Sequence, residues 1–278
     1  MDLYPVGITK HPHTLPAFTI VTMHDSIDYP PVSQKPMDAS RAETTESAWK
    51  PLYRVGGAAA LIVVLLYVIQ IIVLVVSPPP STVIGYFTLF HKNALLGLLD
   101  LDLLSIADYA LFVPMFLALY VALRRASPSF MAIATALGLI GIATYFASNT
   151  AFEMLSLSSQ YAAATTDAQR SLLVASGQAM LAIYQGTTFD VSYVLLAVAP
   201  LIISVVMLRS NIFGKVTAYV GIVANVLAVG LFVPAIGVFL SLVSVVGLLI
   251  WYILIARRLF LLAQSASQRR GQSVLRRV

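Results

Sequence analysis

The chain has no cysteine. That excludes disulfides, thiolate nucleophiles, iron–sulfur clusters and Cys-ligated zinc, and it leaves the redox compartment unread. Charge is scarce as well. Charged residues are 10% of the 278 and hydrophobic ones 59%, where soluble domains carry roughly 25% charge. Catalytic signatures are missing too: there is no HExxH, GxSxG, Walker A or strand-borne GxGxxG, and no strand pattern at all. The four histidines, His11, His13, His24 and His91, do not fall at ligand spacings. No catalytic residue, metal site or cofactor is therefore expected.

What charge there is has a clear distribution. Residues 1–54 hold five Lys/Arg against six Asp/Glu, so the net +5 arises wholly in residues 55–278, where the balance is twelve to six. Most of those cations flank apolar runs, which makes them topology signals and not a nucleic-acid patch. Residues 1–50 are rich in Pro, Ser, Thr and charge, as in DYPPVSQKP and DASRAETTES, and have no apolar period from which to build a core. They read as a disordered cytoplasmic tail. No apolar h-region follows Met1, so no cleavable signal peptide is expected; Met37 offers an alternative start with a short lead-in to the first apolar run.

The apolar runs read as six transmembrane helices, since a crossing needs about 20 residues. Val55–Val76 is the first, ended by SPPP at Ser77–Pro80. A second run extends from about Ala94 to Leu123, a third from about Ser129 to Asn149, and a fourth from about Phe189 to Leu208. Val216–Ala256 carries no charge and would make a helix of roughly 60 Å, long enough for two crossings, with Pro234 at the fold of the hairpin. Residues 168–186 repeat Ser171, Gln178 and Gln185 beside a stripe of Leu173, Met180 and Tyr184, the pattern of an amphipathic helix on the outer face. The expected architecture is all-α: a six-span membrane domain over 51–263, one short amphipathic outer-face helix, and a basic cytoplasmic tail over 264–278. With both termini inside, Lys50, Arg54, Arg124, Arg125, Arg209, Lys215, Arg257 and Arg258 are cytoplasmic, and only Lys92 and Arg170 face out. The cell membrane is the expected location and the lipid bilayer the expected partner. A homo-oligomer or a membrane partner stays open.

Within this frame LLDLDLLSIADYALF, Leu98–Phe112, stands out for three aspartates, because an intramembrane acid is a functional-site hypothesis by default. Counting 20 residues back from Arg124 places Asp100 and Asp102 at the outer interface and Asp108 about one turn inside. Similar counts place Asn149 and Asp190 at that interface, with Glu153 beyond it. On one continuous helix Asp100 and Asp108 would stand about 80° apart and face one cavity, with Asp102 pointing elsewhere into solvent. The candidate ligand-binding residues are therefore Asp108, Asp100, Asn149, Asp190 and Glu153. Structurally, the same acids could simply end helices and pair with Lys92 or Arg170. Gln70 and Asn225, mid-span amides, read as glue between helices.

Four passages resemble an uncharacterised bacterial integral-membrane family catalogued as domain of unknown function 4386. They are LYRVGGAAALIVVLLYVIQ, LDLLSIADYALFVPMFLALYVALRR, GTTFDVSYVLLAVAPLIISVVMLRSNIFGKVTAYVGIVANV and LIWYILIARRLFLLA, together spanning roughly Pro51–Ala263. The resemblance implies a multi-span membrane protein and brings no activity or site residue with it. Two functional readings follow from the residues: a small transporter or binder of a cation or basic ligand through an outward-facing acidic vestibule, or a non-catalytic membrane accessory or scaffold whose acids are structural.

Overall fold

The computed structural model describes residues 48–275, with side chains through residue 265. Apart from its last three residues, the expected tail over 1–50 lies outside the described residues, as does Met37. Every regular element among the described residues is helical. In chain order they are α1 (Lys50–Val76), α2 (Val83–Lys92), α3 (Ala94–Asp100), α4 (Leu103–Leu123), α5 (Pro128–Ser148), α6 (Ala151–Ala163), α7 (Asp167–Tyr184), α8 (Thr187–Arg209), α9 (Lys215–Val229) and α10 (Gly237–Leu275). A 3₁₀ turn over Gly230–Phe232 follows α9.

Six helices are long and apolar enough to cross a membrane, and they contain α1, α4, α5, α8, α9 and α10. This is the all-α, six-span bundle the apolar runs require. The hairpin between α9 and α10 turns at the expected proline: Pro234 is followed by Ala235 at φ 69°, and Gly237 donates back to the Val233 carbonyl at 2.9 Å. Each span packs on the next in the chain, and α10 returns to α1. The six therefore close into a ring in chain order. Small residues allow the closest approaches. A Cβ on Gly56 would sit 2.5 Å from the Ala118 Cβ, and one on Gly221 would sit 2.2 Å from the Ser204 Oγ and 2.3 Å from the Trp251 Nε1. Large apolar side chains such as Leu65, Val75, Val238 and Val246 point outward and stay exposed, as a lipid-facing surface requires.

The end of the ring away from the termini differs from expectation. One amphipathic helix was expected there, and four helices form a cap: α2, α3, α6 and α7, packed around Val83, Tyr86, Phe87, Phe90, Leu101, Ala151 and Met154. The apolar residues of α2 fall at the i, i+3, i+4, i+7 positions of an amphipathic helix, and the side chain of Thr82 caps its first turn. The helix over 168–186 forms as α7, opened by a capping box of Thr166 and Gln169. It joins α8 through Gln185 and Gly186.

The second apolar run is not one continuous helix. The run from Ala94 is broken at Leu101–Asp102, where Asp102 adopts a left-handed conformation at φ 62°, ψ 35°. Aspartate and asparagine tolerate that region better than most residues. Asp100 therefore ends α3 and Asp108 belongs to α4, so the two do not share one helix face.

Candidate intramembrane binding site

The cap meets the ring at a cluster of polar side chains around this break. The Tyr184 hydroxyl, at the end of α7, donates to Asp102 Oδ2. Asn149, between α5 and α6, donates through Nδ2 to the Leu101 carbonyl at 3.0 Å and accepts from the Ala151 amide at 3.2 Å. Asp100 accepts from the Ser77 hydroxyl at 3.5 Å. Burial pushes the Asp102 carboxyl above its ordinary value, opposed by the hydrogen bond from Tyr184. Asp100 is pushed the same way by burial, opposed by Ser77 and reinforced by the Asp102 charge. Nearby on α2, burial first and the charges of Asp100 and Asp102 second push Tyr86 up to about 12.

Asp102 was expected to be solvated and to point away from the other acids. It is half-buried and bonded to the cap, because the left-handed turn redirects its side chain from the face a continuous helix would give it. None of the partners named above is a cation, and Arg170 donates instead to the Ala164 carbonyl at 3.2 Å.

Asp108 lies deeper and is 1% exposed. Gln70 of α1 donates its amide to Asp108 Oδ2 at 2.5 Å, and the Ser105 hydroxyl donates to Gln70 Oε1 at 3.1 Å. The Gln70 amide thus joins α1 to α4, as read from its mid-span position. The other carboxyl oxygen, Oδ1, is buried and without a hydrogen-bond partner. An unpartnered buried polar atom is costly.

One turn further along α1 and α4, towards the termini, the helices line a partly open cavity of 160 Å³. Five of the six spans supply its walls. Tyr67 comes from α1, Tyr109 and Phe112 from α4, Tyr193 from α8, Asn225 from α9, and Tyr252 with Ser241 and Ser244 from α10. The rings form a continuous aromatic wall: Tyr67–Tyr252, Phe112–Tyr252 and Tyr109–Phe112 have centroids 6.3, 5.8 and 5.5 Å apart. The sixth span, α5, braces this wall through Tyr145, stacked on Tyr109 at 3.6 Å. On the opposite side Tyr193 donates to the Ala228 carbonyl at 3.1 Å and meets Ser241 Oγ at 3.3 Å. Asn225 was expected to tie two helices together, but its Nδ2 bonds the Gly221 carbonyl of its own helix at 2.7 Å.

The residues chosen from the sequence fall into separate places. Asp100 and Asn149 gather at the cap joint with Asp102. Asp108 sits between that joint and the cavity, next to Tyr109. Glu153 is exposed in the first turn of α6. Asp190, also exposed, edges a separate apolar groove with Val191, Val194, Leu195 and Phe232. The acids therefore do not line one vestibule, and none of them lines the central cavity. The sequence carried a signal for that cavity in its tyrosines. Aromatic side chains usually favour the membrane interfaces, whereas Tyr67, Tyr109, Tyr193 and Tyr252 each lie within an apolar run and converge on the ring's interior.

A ring of six apolar helices closed over such a cavity defines an integral membrane helix bundle. The chain belongs to the family described as Domain of unknown function (DUF4386), whose model matches residues 86–263. The match starts within α2 and ends in α10, so three of the four passages quoted above fall inside it and the α1 passage precedes it. No curated protein and no solved structure matches the chain.

Proposed function

We propose that the protein binds a small organic cation at the centre of its six spans, as the substrate site of a small transporter or membrane-embedded binder. The observation that carries this reading is the convergence of five spans on one cavity walled by tyrosines. Concave, mostly apolar pockets with a few convergent polar groups are the usual form of a small-molecule site. Its lining residues include no Lys, Arg or His, and aromatic faces attract cations. Asp108, next to Tyr109 on α4, is the buried acid of this part of the ring, and an intramembrane acid has its commonest explanation in a substrate or ion pathway. Asp100, Asp102 and Asn149 hold the cap on the ring in this reading and do not touch the ligand.

Lys50, Arg54, Arg124, Arg125, Arg209, Lys215, Arg257 and Arg258 flank the end of the ring that carries the termini, which supports placing that end in the cytoplasm of a cell-membrane protein. Single cysteines in this cysteine-free chain test the orientation. An impermeant thiol reagent added outside should label Ser81→Cys and Thr166→Cys and spare Ser127→Cys; the reverse pattern would invert the topology.

Binding is tested by the melting temperature of the purified protein in the presence of small organic ammonium ions and their neutral isosteres. The cations should raise it saturably and the isosteres should not, and Asp108→Asn should remove the difference. Equal responses to charged and neutral compounds would overturn the reading.

A further inference from the structure

The hydrogen-bonding groups on the α8–α9–α10 side of the cavity can be followed proton by proton. A backbone carbonyl can only accept, so the Tyr193 hydroxyl spends its one proton on Ala228. Ser241 Oγ, 3.3 Å from that hydroxyl, must then be the donor between the two. The Ser244 hydroxyl gives its proton to the Ser241 carbonyl at 2.7 Å. Asn225 spends one N–H of its amide on the Gly221 carbonyl, and its amide oxygen is the acceptor it can offer the cavity. Three side chains of this wall therefore have their hydroxyl protons committed, and a fourth presents its carbonyl oxygen. From Tyr193, Ser241, Ser244 and Asn225, what remains for a ligand is mostly lone pairs.

Building on the cation reading, we infer that the cavity selects an ammonium ion bearing N–H donors, a primary amine with a short apolar body. Its head would sit against Asn225, Ser241 and Ser244, and its body against Phe112, Leu196 and Leu248. An acceptor-rich wall has nothing to gain from a quaternary ammonium, which cannot donate. A bare alkali ion could use the same oxygens, but it would leave the aromatic and apolar part of a 160 Å³ cavity unfilled. Among the described residues no cluster of His, Cys, Asp and Glu suits a metal ion either.

The test is a titration of the purified full-length protein with isobutylammonium, tetramethylammonium, sodium and neutral isobutanol at matched ionic strength, read by melting temperature and intrinsic tyrosine and tryptophan fluorescence. Isobutylammonium should bind about tenfold or more tightly than tetramethylammonium, the worth of one hydrogen bond to a charged group. Ser244→Ala should erode that preference about tenfold; Ser244 bonds only within its own helix, so this variant keeps the interhelical bonds. Asn225→Leu serves as the second variant, with the same expectation. Tetramethylammonium binding as tightly as isobutylammonium would overturn the N–H inference while leaving the cation site standing. A response to sodium alone would overturn it in favour of an ion site. If no cation binds, the cation reading falls and this inference falls with it.

Discussion

Tyr184, the last residue of α7, donates its hydroxyl to the carboxylate of Asp102, 82 residues earlier in the chain. This bond joins the cap to the turn from which the second span begins, and its acceptor is held in a left-handed conformation. The two devices depend on each other: the turn aims the carboxylate at α7, and the tyrosine gives the half-buried carboxylate a partner. Asp102→Asn keeps both the tolerance for that conformation and an acceptor oxygen, so it should cost little. Asp102→Ala loses both and should destabilise by about 1–3 kcal/mol. Tyr184→Phe should fall between them. Thermal melts of the three variants check the order, and a silent Asp102→Ala would remove the joint from the account.

Both joint acids are pushed up by burial, which gives the cap a pH dependence of definite sign. A folded state that raises a carboxyl's pKa binds more protons than the unfolded chain. The associated stability is then complete below the ordinary carboxylate value and is lost as pH rises through the raised folded values. The melting temperature should therefore fall as pH rises above about 4, and Asp102→Asn should flatten part of that slope. A slope that is unchanged in Asp102→Asn would show that Asp102 does not contribute to it.

Much of the fold was legible because its causes are local. Uninterrupted apolar length marks a span, SPPP and Pro234 mark its ends, and paired arginines mark one membrane side. The 168–186 helix could be read from its period alone. The cap was legible only in part, although α2 shows the same amphipathic spacing in Val83, Tyr86, Phe87 and Phe90. The break at Asp102 is a tertiary event: nothing in LLDLDLL stops a helix, and the turn exists because Tyr184 and Asn149 arrive to bond it. The candidate site was obscured for a related reason. Charge drew attention to the acids, whereas the cavity is made by tyrosines far apart in sequence, and only closure of the ring brings Tyr67 against Tyr252.

Asp108 and Gln70 give a third test. Asp108→Asn keeps an oxygen that can accept the Gln70 amide, so stability should stay within about 1 kcal/mol of the parent or rise. Gln70→Leu leaves a buried carboxyl with neither oxygen partnered and should destabilise by about 1–3 kcal/mol. The reverse ranking would mean that the carboxylate itself, and not its hydrogen bond, holds α1 to α4.

On the proposed reading, the six helices surround a site that a small cation can enter and occupy. The most direct measurement is the reactivity of Ser244→Cys, placed in the cavity wall, toward a small cationic thiol reagent, with and without isobutylammonium. Val246→Cys, two residues along the same helix on the exposed outer face, is the control. If the cavity is such a site, Ser244→Cys is modified, isobutylammonium slows its modification in proportion to occupancy, and Val246→Cys shows no protection. A Ser244→Cys that never reacts, or that reacts at the same rate with isobutylammonium present, would contradict it.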